Sequence, residues 1–209
     1  MKIAMLLFMT SFAFASELPT LEGIVDQLQK TYEGVSRFQA EFHQKTFRQE
    51  GSLVMEAQGT LSYQRPNQMR WDYNPPEEQR VVIDGQKLWI YYTQERQVIV
   101  QPLVGGLSST PLYLLAGVAE FGKEFEISWS SPKEVGEGYH LQLKPRGDVP
   151  GIYQLVIDSK RHLISQMVSV DPIGYRTEWN FEQVQINPSF PKDFFKFSPP
   201  KGVEVIQAP

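Results

Sequence analysis

Between residues 60 and 73, polar and apolar side chains alternate on either side of a Pro-Asn pair. The even positions are mostly polar, and the odd positions hold large apolar or aromatic side chains: Leu61, Tyr63, Met69, Trp71 and Tyr73. Successive side chains of a β-strand point to opposite faces, so a period of two predicts a β-hairpin with one buried face. Pro66 and Asn67 mark the turn. Because the apolar side chains stay at odd positions on both sides of the turn, the loop should hold an odd number of residues.

One charged residue, Arg65, falls among the odd, apolar positions. If the strand runs that far, the guanidinium points into the apolar interior at its rim. Burying a guanidinium is costly unless acceptors satisfy its donors. We therefore interpret Arg65 as a candidate switch, whose acceptor is either fixed or movable, rather than as an ordinary core residue.

The first fifteen residues have the pattern of a secretory leader. Lys2 precedes an apolar run from residue 3 to residue 14, and Ala13-Phe14-Ala15 matches a cleavage site. The run is shorter than the roughly 20 residues that a membrane-spanning helix needs. We expect cleavage near Ala15, a single domain over residues 16–209, and a periplasmic location.

The rest of the chain predicts one helix followed by many short strands. Residues 19–35 carry apolar side chains at helical spacing, with Thr20 as the N-cap and Gly34 as the stop signal. About ten or eleven short alternating segments follow, without the crossover helices that parallel strands require. This order favours an antiparallel sheet, mainly β with few helices.

A second helix is predicted after Thr110 and Pro111, which form a helix start signal. It is apolar on every side and begins with Leu112, Tyr113, Leu114 and Leu115. A helix without a polar face must be covered or must lie in a hydrophobic hollow. A large sheet twists and curls, and we expect its concave face to carry the apolar set of the hairpin together with Trp89, Tyr91 and Trp179. The sequence thus predicts an apolar hollow closed by a helical lid, residues 19–35 and 110–121.

Composition excludes several classes of function. The net charge of −4, without a basic run, argues against nucleic-acid binding. No cysteine is present, so neither a disulfide nor a lipidated N-terminal cysteine can form. The three histidines stand apart, and no nucleophile–base pair or metal-binding motif is visible. We expect no enzymatic activity, no cofactor and no metal site.

Two segments together resemble a known family. They are residues 64–73, with Arg65-Pro66 and Trp71, and residues 82–91, with Asp84-Gly85 and Leu88-Trp89. The Thr110-Pro111-Leu112 helix start and the ending around Phe197-Ser198-Pro199 extend the likeness over the chain. In these features the sequence is similar to the LolA family of periplasmic outer-membrane lipoprotein carriers.

The resemblance implies an unclosed antiparallel β-barrel of about eleven strands, capped by the helical lid. It implies a monomeric carrier that takes triacylated lipoproteins from an inner-membrane ABC-type release complex to an outer-membrane receptor. Arg65 would hydrogen-bond the lid backbone and hold the lid shut. The acyl-chain cavity would be formed by Leu61, Tyr63, Met69, Trp71, Trp89, Leu112, Tyr113, Leu114 and Leu115.

Two alternatives share this fold. One is a carrier of other periplasmic lipids or glycolipids, and the other is a lipid-sensing regulatory scaffold. Mass spectrometry of solvent extracts from the purified protein distinguishes the carriers, because lipoprotein favours the first function and free lipids favour the alternative.

Overall fold

The computed structural model describes residues 19–103, 114–115, 120–135, 138–147 and 151–208. The predicted leader lies outside these ranges, as do Leu112 and Tyr113 and most of the predicted second helix. In chain order, the described elements are α1 (Leu21–Glu33), β1 (Arg37–Phe47), β2 (Leu53–Gln64), β3 (Gln68–Tyr73), β4 (Gln79–Asp84), β5 (Lys87–Tyr92), β6 (Gln97–Pro102), α2 (Phe121–Glu124), β7 (Phe125–Val135), β8 (Gly138–Pro145), β9 (Ile152–Asp158), β10 (Ile164–Val170), β11 (Arg176–Ile186) and β12 (Glu204–Gln207).

Helix α1 forms where the sequence predicts it. The side chain of Thr20 caps its start by accepting a hydrogen bond from Gly23 N at 3.1 Å. Its apolar stripe buries Ile24, Leu28 and Tyr32. Because these side chains are four residues apart, one face of α1 packs on the sheet while the rest meets solvent. Neither described helix is long and apolar enough to cross a membrane.

The described strands form one open sheet. Its order is β12-β6-β5-β4-β3-β2-β1-β11-β10-β9-β8-β7, with β12 and β7 at the two edges. All pairs of described strands are antiparallel except β12 with β6, which run parallel. The predicted unclosed antiparallel sheet is confirmed, and the structure adds the short parallel strand β12 to the expected count. Strand β12 has no buried residue, so the sequence carries no alternation that would reveal it.

The hairpin formed by β2 and β3 has the predicted loop. Strand β2 ends at Gln64 and β3 begins at Gln68, which leaves three residues between them. Asn67 occupies the left-handed region with φ of 54°, a conformation that asparagine tolerates better than most residues. With an odd number of loop residues, the odd-numbered apolar side chains of both strands lie on the same face of the sheet.

The sheet has an inner face, on which α1 packs, and an outer face. The inner face carries the main core, in which Ile24 and Leu28 of α1 join Phe42, Leu61 and Met69 of the strands. On the outer face, the segment after β11 packs on β5. There the ring of Phe197 lies 5.6 Å from Trp89 and 5.9 Å from Tyr91. Strand β5 therefore has an aromatic contact on its outer face, while its Leu88 packs on the core from the inner face.

Candidate functional site

The apolar set predicted from the hairpin lies together on the inner face. Leu61, Tyr63 and Met69 expose 0% of their surface and Trp71 exposes 3%. Strand pairing places Leu61 opposite Trp71 and Tyr63 opposite Met69. A side chain with no accessible surface borders no space large enough for water, so this part of the inner face is packed with protein atoms in the structure.

The atoms that fill this space come partly from α1 and from residues 114 and 115. Leu114 and Leu115 are buried at 0% and 2% exposure and belong to the same cluster as Ile24 and Leu28 of α1. Helix α1 and residues 114–115 thus both contribute apolar side chains to the core.

Trp89, predicted for the cavity, lies on the outer face. It is opposite Val82, and Val82 is opposite Arg70 of the polar, outward set. Its indole nitrogen donates to Asp84 Oδ2 at 2.8 Å, and its ring packs on Phe197. The prediction for Trp89 is wrong because β5 is apolar on both faces, so the sequence of the strand does not show which side chains point inward. Its neighbour Leu88 is the residue that packs on the core.

A row of apolar side chains crosses the inner face from the core to a sheet edge, and sequence reasoning identified only its first member, Trp71. Pairing places Trp71 opposite Val81, Val81 opposite Ile90, Ile90 opposite Ile99, and Ile99 beside Ile206. We call these five residues the apolar row. Neighbouring strands lie about 4.8 Å apart, so the row spans about 19 Å.

Exposure rises along the apolar row. Trp71 is 3% exposed, Val81, Ile90 and Ile99 are half-buried, and Ile206 on the edge strand is 39% exposed. The row therefore connects the filled interior to the surface through apolar side chains alone. Alternation could not assign Ile90 and Ile99 to the inner face, because both chain neighbours of each are apolar or aromatic too.

Arg65 lies at the rim and bonds to α1. Its Nη2 donates to the carbonyl oxygen of Tyr32 at 2.9 Å. The same carbonyl oxygen also accepts a hydrogen bond from Val35 N at 3.1 Å, so Arg65 supplies a second donor to it. A cation at the end of a helix also interacts favourably with the helix dipole. The acceptor is a backbone carbonyl in the last turn of α1. We call this hydrogen bond the latch.

The side chain of Tyr32 makes a second tie, to the other half of the sheet. Its hydroxyl accepts a hydrogen bond from the buried Ile164 N of β10 at 3.2 Å. Burial raises the pKa of this hydroxyl well above its ordinary value, and the Ile164 N–H and Arg161 only partly oppose that effect. The hydroxyl therefore stays neutral, and the end of α1 is fixed between β2 and β10.

The beginning of α1 borders open space. A cavity of about 390 Å³ lies beside Leu21 and Val25 of the helix, with Phe125 and Ile127 of β7 and the charged Arg146 on its other sides. Helix α1 is thus held at its end by Tyr32 and is less confined near its start.

Inner-face polar groups fall into two kinds. The Tyr73 hydroxyl and the Trp179 indole nitrogen both donate to Gln44 Oε1, at 3.0 and 3.1 Å. In the described part of the chain, the buried Tyr63 hydroxyl and Trp71 indole nitrogen have no acceptor for their hydrogens.

No group of three or more histidine, cysteine or acidic side chains in the described ranges could hold a metal ion.

Comparisons with known proteins agree with this architecture. The family model described as outer membrane lipoprotein carrier protein LolA matches residues 33–198. The outer-membrane lipoprotein carrier protein of Pseudomonas entomophila is 35% identical over 184 residues, covering 88% of this chain and 87% of that protein. The protein of the same name from Hahella chejuensis is 32% identical over 208 residues, covering 99% of each.

A solved structure shares the fold. The crystal structure of an uncharacterized conserved protein from Thermus thermophilus superposes with a TM-score of 0.57 at 14% identity, covering 90% of this chain and 98% of that one. The family model extends over well more than half of the sequence, and both relatives match most of their length. This chain therefore belongs to the LolA family of outer-membrane lipoprotein carrier proteins, which are carriers and not enzymes.

Proposed function

We propose that this protein is a periplasmic monomer that encloses the acyl chains of triacylated lipoproteins against the inner face of its sheet. It receives them from an inner-membrane ABC-type release complex and delivers them to an outer-membrane receptor. Family membership supports the cargo class, and the predicted leader supports the location. The observation that carries the proposal is the apolar row, which leads from the packed interior to the edge strand without a polar interruption.

The energetics require such an enclosure. Exposing an acyl chain of about 16 carbons to water costs on the order of 13 kcal/mol, at about 0.8 kcal/mol for each methylene. With two or three chains, free passage through water is out of reach. Contact with Val81, Ile90 and Ile99 removes methylenes from water, and displacement of Leu114 and Leu115 from the interior makes further apolar surface available.

The carrier must also release its cargo. In the empty state, the latch from Arg65 to Tyr32 holds α1 on the sheet, and the lid side chains occupy the interior. Loading replaces these side chains by acyl chains and breaks the latch. Reforming the latch then favours unloading, since the closed state regains a charge-assisted hydrogen bond.

Site-specific photocrosslinking tests the proposal with neighbouring positions as matched controls. A photoreactive residue is placed at Ile90 on the inner face or at Trp89 on the outer face, and adducts are recovered from the periplasm. We expect acylated lipoprotein peptides at Ile90 and none at Trp89. Adducts with free lipids or glycolipids alone would overturn the lipoprotein cargo, and equal labelling of both positions would overturn the inner-face site.

A further inference from the structure

Two buried donors on the inner face lack acceptors. In the described part of the chain, neither the Tyr63 hydroxyl hydrogen nor the Trp71 indole hydrogen has an acceptor, although their residues expose only 0% and 3% of their surface. Buried polar groups in folded proteins are nearly always paired, and each exception calls for an explanation.

The two donors are neighbours. Tyr63 of β2 pairs with Met69 and Leu61 pairs with Trp71, so Tyr63 and Trp71 are diagonal on the same face. Diagonal residues of adjacent strands lie about 7–8 Å apart. The rings around them are apolar, since Phe38 lies 5.8 Å from Tyr63 and Phe42 lies 4.6 Å from Trp71. These rings supply no carbonyl or carboxylate to accept either hydrogen.

The same face holds a second tyrosine and tryptophan that do have an acceptor. Tyr73 and Trp179 both donate to the side-chain oxygen of Gln44. The chain thus provides an acceptor for one Tyr/Trp pair and none, among the described residues, for the other. This contrast indicates that the acceptor for Tyr63 and Trp71 belongs to a bound molecule.

Both groups are donors at neutral pH. An indole N–H can only donate. Burial raises the pKa of the Tyr63 hydroxyl, and the nearby Arg65 guanidinium opposes this only in part, so the hydroxyl keeps its proton. A guanidinium has no acceptor, so Arg65 cannot receive that hydrogen. Two donors fit a ligand group that only accepts. Ester carbonyls, which join acyl chains to a glyceryl group, are acceptors of this kind.

We propose that Tyr63 and Trp71 donate hydrogen bonds to the ester carbonyl oxygens at the head of bound acyl chains. The inference rests on the proposed function and adds chemical selectivity to it. Trp71 is also the first member of the apolar row. The ester heads are therefore held between β2 and β3, close to Arg65, while the tails extend along Val81, Ile90 and Ile99 towards the edge.

The test compares two ligands of equal chain length. One is a diacylglyceryl lipopeptide with ester links, and the other is its dialkyl ether analogue, which lacks the carbonyls. Both compete with an environment-sensitive fluorescent fatty probe on the purified protein. We expect the wild type to prefer the ester, and Tyr63→Phe and Trp71→Phe each to reduce that preference about fivefold, the effect of one lost hydrogen bond.

The matched controls are Tyr73→Phe and Trp179→Phe, which remove the same groups where Gln44 accepts them. They should leave the ester-to-ether ratio unchanged, and the ratio cancels any general loss of packing. Equal binding of ester and ether by the wild type, or an undiminished preference in Tyr63→Phe and Trp71→Phe, would overturn the inference and leave the carrier intact. Binding of neither ligand would instead overturn the proposed function.

Discussion

The Arg65 guanidinium binds the last turn of α1, with its Nη2 2.9 Å from the carbonyl oxygen of Tyr32. The side chain of the same tyrosine reaches Ile164 of β10. Strands β2 and β10 lie on opposite sides of β1 in the sheet. One residue of α1 thus joins the two halves of the sheet, and movement of the helix end must break both ties.

Replacement of Arg65 by leucine removes the latch without adding a charge. We expect Arg65→Leu to load lipoprotein from inner-membrane vesicles at a near-normal level but to pass on much less of it to outer membranes. A charge-assisted hydrogen bond contributes about 1.5–3 kcal/mol, which is a roughly 10- to 150-fold change in the open–closed equilibrium. A two-step transfer assay measures loading and delivery separately. Arg48→Leu, at an exposed position, is the control, and normal delivery by Arg65→Leu would contradict the latch.

Removal of the Tyr32 hydroxyl should destabilise the fold. Tyr32→Phe takes away the acceptor of the buried Ile164 N–H. A buried donor left without a partner costs about 1–3 kcal/mol, so the free energy of unfolding in urea should fall by about that amount. Tyr92→Phe, at a half-buried position, should change it by less than about 0.5 kcal/mol. Equal stability of Tyr32→Phe and the wild type would show that the tie contributes nothing.

The end of the apolar row can be tested on the edge strand. Ile206 is 39% exposed and shares the inner face with Ile99, whereas the adjacent Val205 is 44% exposed and faces outward. Ile206→Asp should lower the affinity for an acyl probe about tenfold, since burial of an isoleucine side chain contributes about 1.5–3 kcal/mol. Val205→Asp introduces the same charge one residue away and should leave the affinity unchanged. Equal losses in both variants would exclude the row as the path of the acyl chain.

Gly59 allows β2 and β3 to approach closely. A Cβ at this position would overlap the backbone oxygen of Asp72 and lie 3.0 Å from Cε1 of Phe42. Neither neighbour can yield without moving the sheet, so Gly59→Ala should lower the free energy of unfolding by about 1–3 kcal/mol or more. At Gly122 no neighbouring atom among the described residues crowds an added Cβ, and Gly122→Ala should be neutral or slightly stabilising. Thermal unfolding of the two variants gives the comparison, and a stable Gly59→Ala protein would refute the close approach.

Acid should loosen the outer face through Asp72. Burial raises the pKa of this carboxyl, but the hydrogen-bonded Arg70 and Arg80 guanidiniums outweigh burial and hold the pKa below its ordinary value. Arg70 in turn donates to the Phe194 carbonyl at 3.0 Å, which fixes the segment after β11. A depressed pKa contributes stability that is complete above the unfolded pKa of about 4 and is lost as the pH falls through the folded pKa.

Urea midpoints at pH 7, 5 and 3 measure this contribution. The wild type should lose stability between pH 5 and pH 3 more steeply than Asp72→Asn, which lacks the titrating group. Asp26→Asn, on the exposed side of α1, should follow the wild-type profile. Parallel profiles for the wild type and Asp72→Asn would show that the carboxyl does not link pH to stability.

The sequence alone determined the parts of this protein that depend on neighbours along the chain. Alternation between residues 60 and 73 identified the buried set Leu61, Tyr63, Met69 and Trp71, and its parity required a loop with an odd number of residues. Helical spacing and Thr20 located α1, the order of short segments indicated an antiparallel sheet, and the resemblance to the family implied that the sheet is unclosed. Local periodicity is sufficient to locate these elements, because one buried face and one solvent-exposed face produce a clear alternation of apolar and polar residues.

Only the tertiary structure decided which residues face each other. Trp89 lies on the outer face and Ile90 on the inner face. Because the segment carrying Phe197 packs on the outer face, β5 is apolar on both sides, and its sequence does not show which side chains face inward. Strand β12 is exposed throughout and has no pattern, yet its pairing with β6 completes the apolar row. The acceptor of Arg65 lies 33 residues away on α1. Such partners are set by strand register and packing between distant segments, which no local period encodes.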